Sequence, residues 1–286
     1  MKTGLIVEGG GMKCAYSAGV LDIFLDEQFQ FDYCIGVSAG SANCASFLAG
    51  QRERNLRYYT THTKDPKYFG IKNLLTSGSL FGLQYIYGDM TNEGGIDPLD
   101  YDAYYENPTD TYIAATDALT GQPYYFNKNE VERNAYQPIM ASCALPVACR
   151  PIRYQGHTFF DGGVSDSIPI AHALEQGCDR IVILFSKPKG YRMQPQGLRA
   201  GYTLALRHKY PKMVEALNRR HEMYNAEMEQ VDALIREGKV LAFHPSADIH
   251  TGTYAVDPII NRQLYDNGLQ DAQERKKEVK DFLYER

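Results

Sequence analysis

No stretch of this 286-residue chain stays apolar for the roughly 18 residues that a membrane-spanning helix needs. The longest candidate core strand is Ile181 to Phe185, and Leu5-Ile6-Val7 runs into glycines too soon to serve as the apolar part of a secretory signal. The expected location is therefore cytoplasmic, with peripheral contact on the inner face of a membrane left open. The six cysteines (Cys14, Cys34, Cys44, Cys143, Cys149 and Cys178) contain no CxxC pair, which favours buried thiols over a disulfide framework. The seven histidines contain no HExxH, since His221-Glu222 lacks the second histidine, so neither a metal nor another cofactor is expected. Positive charge is not in excess: the formal net charge is −5, which argues against nucleic acid as a partner. Internal repeats are missing, as is any linker long enough to set off a second independent domain.

What is present reads as an ordinary globular core, with 44% hydrophobic and 23% charged residues. Strand-like Leu5-Val7, Phe31-Ile35, Thr111-Ala115, Pro123-Phe126, Thr158-Phe160, Arg180-Phe185 and Lys239-Phe243 are separated by helical patterns at Ala15-Phe24, Ser41-Leu48 and Ile168-Gln176. Continuous apolar strands alternating with helices predict an α/β sandwich around a buried, mainly parallel sheet. From about Tyr58 to Tyr125 the pattern loosens and holds 11 of the 22 tyrosines, which suggests an insertion over one edge of the core, either as packing or as an aromatic lid. Pro211 to Arg236 reads as one long helix with Met213, Leu217, Tyr224, Met228, Val231 and Ile235 facing the core, and Asp257 to Tyr284 as a terminal helix pair. Lys187 to Arg220 holds nine Lys/Arg against one acid, Glu215. That stretch is either a solvated face or a patch for anionic lipid, with Arg207, Lys209, Lys212, Arg219 and Arg220 as its closest cluster.

Three glycine-bearing segments carry chemistry, each where a strand ends. In Gly36-Val37-Ser38-Ala39-Gly40 a serine stands on a strand-to-helix turn, and glycines two residues either side remove the side chains that would collide there. The helix N-terminus behind Ser38 favours an alkoxide. Gly9-Gly10-Gly11-Met12-Lys13 can bring backbone N–H groups close to a negative oxygen. A dinucleotide fingerprint would need glycine where Cys14 stands and an acid at the end of the second strand. A phosphate-binding P-loop would need Ser or Thr after Lys13. An oxyanion hole fits better, each donor lowering the barrier by about 3 kcal/mol. Asp161-Gly162-Gly163 adds a carboxylate at a strand end, although a lone aspartate before glycines is commonly turn chemistry.

In this order, with Ala141-Ser142-Cys143-Ala144-Leu145-Pro146 upstream of the aspartate and Val164 and Pro169 after it, the segments resemble the patatin-like phospholipase family. The resemblance covers about residues 3–190. The remainder, about 191–286, looks like the helical C-terminal extension of bacterial cytosolic members, so one patatin-like domain over 1–286 is implied. It implies a three-layer α/β/α sandwich and a serine acyl hydrolase of phospholipase A or lipid-esterase type. Ser38 would be the nucleophile and Asp161 its partner, without histidine. Gly9 to Lys13 would form the oxyanion hole, supported by Gly36, Gly40, Gly162 and Gly163. Its partners would be a lipid or acyl-ester substrate. The family has glycine where this chain has Cys14, a change that costs little if the position needs only a small side chain and not positive φ. Two alternatives stay open: a Ser-His-Asp esterase using His157, which shares a strand face with Asp161, and a non-catalytic regulatory or lipid-binding protein on the same fold.

Overall fold

Leu5, Ile6 and Val7 are all fully buried, as a strand covered on both faces requires. The computed structural model describes residues 1–249 and 251–285. Its strands are β1 (Thr3–Val7), β2 (Tyr33–Val37), β3 (Asp110–Asp117), β4 (Pro123–Asn127), β5 (Ile152–Tyr154), β6 (His157–Asp161), β7 (Arg180–Leu184) and β8 (Val240–Phe243). They form one sheet in the order β5-β6-β3-β2-β1-β7-β8, with β4 also paired to β3. The pairs β3-β2, β2-β1, β1-β7 and β7-β8 are parallel; β4 and β6 run antiparallel to β3, and β5 to β6. The helices are α1 (Ala15–Asp26), α2 (Ala39–Leu48), α3 (Arg54–Tyr59), α4 (Ile71–Ser77), α5 (Tyr101–Glu106), α6 (Gln137–Ser142), α7 (Ile170–Glu175), α8 (Arg199–Leu206), α9 (Pro211–Arg236) and α10 (Pro258–Tyr284).

Alternation along the strands divides the core into two faces. Leu5, Val7, Cys34, Val182 and Leu184 join the α1, α2 and α10 side, while Ile6, Ile35, Ile181 and Ile183 pack with α7 and α9. This is the predicted layered α/β sandwich. All six cysteines are buried and unbridged.

The register of β3 builds the site. β2 pairs with β3 up to Val37↔Ala114, and β6 pairs with it from Asp161↔Ala115. Because β4 pairs with Tyr112–Thr116 and overlaps both, it takes the opposite edge of β3. β2 and β6 therefore share one edge and run toward each other, so their C-terminal ends meet.

Three expectations need correction. The terminal segment is one helix, α10, not a pair, and it crosses α1 closely. A Cβ on Gly268 would overlap the Tyr16 carbonyl, and one on Gly19 would overlap that of Tyr265. Two tyrosine–aspartate bonds flank the crossing, Tyr16 Oη to Asp271 at 2.6 Å and Tyr265 Oη to Asp22 at 2.5 Å. On α9 the buried stripe ends at Leu234, and Ile235 is exposed. A seven-residue step, such as Met228 to Ile235, drifts by about 20° around a straight helix. Finally, the insertion ends before Asp110, since Tyr112, Tyr124 and Tyr125 belong to sheet strands. The inserted part is tied down by Asp97, which accepts from Arg57 Nε at 2.7 Å and contacts His62 Nε2 at 2.8 Å. Burial works against the Asp97 charge, but Arg57, His62 and Arg54 outweigh it and hold the carboxyl below its usual range.

Behind the Asp161 turn lies a buried carboxyl pair. Asp166 accepts from Tyr125 Oη at 2.5 Å, and Glu227 of α9 accepts from the Ile168 amide at 3.0 Å. Burial raises both, with the Asp166 charge raising Glu227 further, to about 10. Sign follows from linkage: a folded value above the unfolded one means the pair's proton stabilises fully in acid, and this support is lost as pH rises toward 10. Glu227→Gln is expected to flatten the fall of the melting temperature between pH 6 and pH 10, measured by thermal scans across that range. An unchanged slope counts against the shared proton.

Candidate active site

Ser38 follows β2 directly and has φ 53°, ψ −132°, an unfavourable conformation that costs a non-glycine residue on the order of 1–3 kcal/mol. The turn holds because it is packed from all sides. A Cβ on Gly36 would overlap Ser41, and one on Gly40 would overlap the Val7 carbonyl. The Ser38 amide donates to Ser142 Oγ at 2.7 Å, and that hydroxyl donates to the Ala114 carbonyl at 2.5 Å. The α6 end thus closes the gap where β2 stops.

Ser38 Oγ donates to Asp161 Oδ2 at 2.6 Å. Both residues are buried, at 7% and 2% exposure. Asp161 Oδ1 accepts from the Gly163 amide at 2.9 Å, while the Asp161 amide donates to the Ala144 carbonyl at 2.9 Å. Burial pushes the Asp161 carboxyl above its ordinary value; Ser38, Arg220, the Gly163 amide and Lys187 pull it back only in part. Such a carboxylate is a stronger base than one in water.

The glycine loop passes over Ser38, and a Cβ on Gly9 would collide with the Ser38 side chain. The Gly10 and Gly11 amides have no hydrogen-bond partner among the described residues, whereas the Met12 amide donates to the Thr253 carbonyl at 3.3 Å and that of Lys13 to Gly10 at 3.3 Å. Of the five loop residues expected to act together, Gly10 and Gly11 therefore keep amides open to a ligand, while those of Met12 and Lys13 are engaged within the protein. Glu8 anchors the loop from behind: its Oε2 accepts from the Ser186 amide at 2.7 Å, and its Oε1 pairs with Lys187. Cys14 has φ −68°, so the position does not need the left-handed backbone that would favour glycine.

Two cavities reach Ser38. One is narrow and apolar, about 50 Å³, lined by Tyr59, Tyr68, Phe81, Leu83, Ile86 and Leu145. The insertion supplies all of these but Leu145, so the tyrosine-rich segment is both packing and pocket. The other, about 330 Å³, holds Lys13, Asp161, Lys187 and Arg220. Sequence reasoning placed Arg220 in a surface patch and left Ser142 and Thr253 without roles. Ser142 was findable within its motif, but nothing local in sequence marks Thr253.

His157 stands at the opposite end of β6 from Asp161, exposed, 3.2 Å from Asp117 Oδ2. Its replacement by alanine is expected to leave most ester hydrolysis intact. A loss as deep as that of Ser38→Ala in a folded protein would restore the triad. Among the described residues no group of three His, Cys, Asp or Glu is placed to hold a metal ion, and no helix is long and apolar enough to cross a membrane.

The chain is 29% identical over 197 residues to an uncharacterized protein, YjjU, of Escherichia coli (strain K12). That match covers 67% of this chain and 54% of the relative, so the chain spans about half the length of the curated relative it matches. The crystal structure of VipD from Legionella pneumophila is similar with a TM-score of 0.49 and 12% identity, over 96% of this chain and 66% of that one. A family model described only as a domain of unknown function matches residues 210–284. Residues 5–174, more than half the chain, match the family model described as patatin-like phospholipase, and the chain belongs to that family.

Proposed function

We propose that this protein is a serine acyl hydrolase of phospholipase A or lipid-esterase type, working through an acyl-Ser38 intermediate. The observation that carries the reading is the buried 2.6 Å bond between Ser38 and Asp161 at a strained elbow. Ser38 Oγ attacks the ester carbonyl as its proton passes to Asp161 Oδ2. The tetrahedral oxyanion accepts from the Gly10 and Gly11 amides. Collapse expels the alcohol, which leaves with the proton from Asp161. Water then attacks the acyl-serine, returns a proton through Asp161 and releases the acid. No step calls on a metal or cofactor. The apolar cavity would take the start of the acyl chain, its walls moving apart for a longer one.

The test is a fluorophosphonate probe applied to the native protein, followed by peptide mapping, beside a panel of acyl esters and phospholipids. Labelling at Ser38 with ester turnover is expected; labelling at another serine overturns the assignment.

One patatin-like unit over the whole chain is part of the same proposal, supported by β8, which follows α9 yet joins the central sheet beside β7. Contact with an anionic bilayer would use the exposed Ile71, Leu74 and Leu75 of α4 together with the basic stretch. Within that stretch Lys212 and Arg219 are paired with Glu215 and Glu222, so among the described residues the exposed Lys189, Arg199, Arg207 and Lys209 carry the free charge. Sedimentation should show more protein on anionic than on neutral vesicles, an excess that fades with salt. Equal binding to both removes this surface from the proposal.

A further inference from the structure

The cavity beside the dyad contains cations that the reaction described above does not use. Arg220, on α9, donates from Nε to the Gly163 carbonyl at 2.5 Å, leaving both Nη groups without a partner among the described residues. Lys13 lines the same cavity and has no carboxylate within ion-pair distance among the described residues. Lys187 completes the set, its ammonium held by buried Glu8 and by Ser186 Oγ at 3.3 Å. The two carboxylates of the cavity are already committed, Glu8 to Lys187 and Ser186, Asp161 to Ser38 and Gly163. Lys13 and Lys187 are close enough that, after burial, the charge on Lys187 is the main influence lowering the Lys13 ammonium. Three cations against two carboxylates leave an excess of positive charge in a half-buried pocket, which an anionic ligand would offset.

We infer that Lys13, Lys187 and Arg220 form an anion subsite for a phosphate group on the alcohol side of the scissile ester. The substrate would then be an acyl ester whose leaving alcohol carries a phosphate, as in an acylated glycerol phosphate. This inference rests on the hydrolase reading. Both cavities border Ser38, so the apolar one would receive the acyl end and the cationic one the leaving alcohol. Arg220 is well suited, since a guanidinium presents its free N–H groups as a fork to phosphate oxygens. Two of the three cations lie beyond the part of the chain that matches the patatin-like family model, so the subsite joins the family core to the segment after it.

The test uses the full chain and two water-soluble esters with the same short acyl group, one on glycerol 3-phosphate and one on glycerol. The quantity read is the ratio of their kcat/KM values, in which any general loss of activity cancels. Wild type should favour the phosphorylated ester by about tenfold or more, and Arg220→Gln should lower the ratio by about tenfold, the scale of one lost charge-assisted hydrogen bond. Lys13→Gln, at a partly exposed side chain, gives an independent second variant. If Arg220 serves only to tune Asp161, both esters lose equally and the ratio stays put, which overturns the subsite. Inorganic phosphate separates the ligand sources. Inhibition of glycerol-ester hydrolysis by phosphate, without any preference between the esters, would assign the pocket to free phosphate and refute the substrate. Should wild type cleave neither ester and Ser38 resist the phosphonate, the hydrolase reading has failed. Thermal stabilisation by phosphate, weakened in both variants, then decides the anion site on its own.

Discussion

Ser38→Ala and Asp161→Asn are each expected to reduce ester turnover by roughly four orders of magnitude or more, with the double variant little worse than either single one. The reason is geometric. With one bond joining nucleophile and base, removing either end leaves the other without a task, so the losses do not add. Asp161→Asn should nevertheless fold at least as well as wild type at neutral pH. Burial raises the carboxyl, so its ionised form opposes folding once pH passes the ordinary carboxylate value, and asparagine removes that opposition while keeping an acceptor for Gly163. Melting curves and steady-state assays on the same samples check both halves. Normal turnover in Asp161→Asn sinks the dyad. In wild type, activity should fall on acidification through a value above the usual carboxylate range, as Asp161 takes up a proton.

Gly268→Ala should destabilise the protein by about 2–3 kcal/mol, against the usual direction for a glycine inside a helix. Helix propensity alone would favour alanine by about 1 kcal/mol. Here the added methyl would overlap the Tyr16 carbonyl at the α1–α10 crossing, and neither backbone can move without parting two tyrosine–aspartate bonds. A melting temperature lower by roughly 3–5 °C is expected for a chain of this size. Gly201→Ala provides the control: that helical glycine has open space around its Cβ direction, so the same substitution should be neutral or stabilising. If both behave alike, the crossing is looser than described.

The difference between these two glycines marks the boundary of what the sequence revealed. The elbow at Ser38, the glycine loop and the Asp161 turn were legible because each is a local motif at a strand end. The buried strands and α9 were legible by their periodicity. Gly268 was not, because a helix interior gives no sign that the Tyr16 carbonyl, 252 residues away in sequence, will lie against it. Arg220 looked like one more basic residue in a charged stretch, and only folding turns it toward Asp161. The Thr253 carbonyl on the Met12 amide is a main-chain contact, which side-chain identities do not encode.

The meeting of β2 and β6 along one edge of β3 makes the dyad a gauge of alignment. Their ends are fixed by consecutive residues, Ala114 and Ala115. Slipping either strand by one residue would shift its terminal group by about 3.3 Å and turn it to the opposite sheet face. A hydrogen bond between Ser38 and Asp161 tolerates neither change. Phosphonate reactivity at Ser38 during refolding would therefore report when two strands separated by more than a hundred residues have found their places on the third. It would read strand alignment directly, at the one point where an error of a single residue cannot hide.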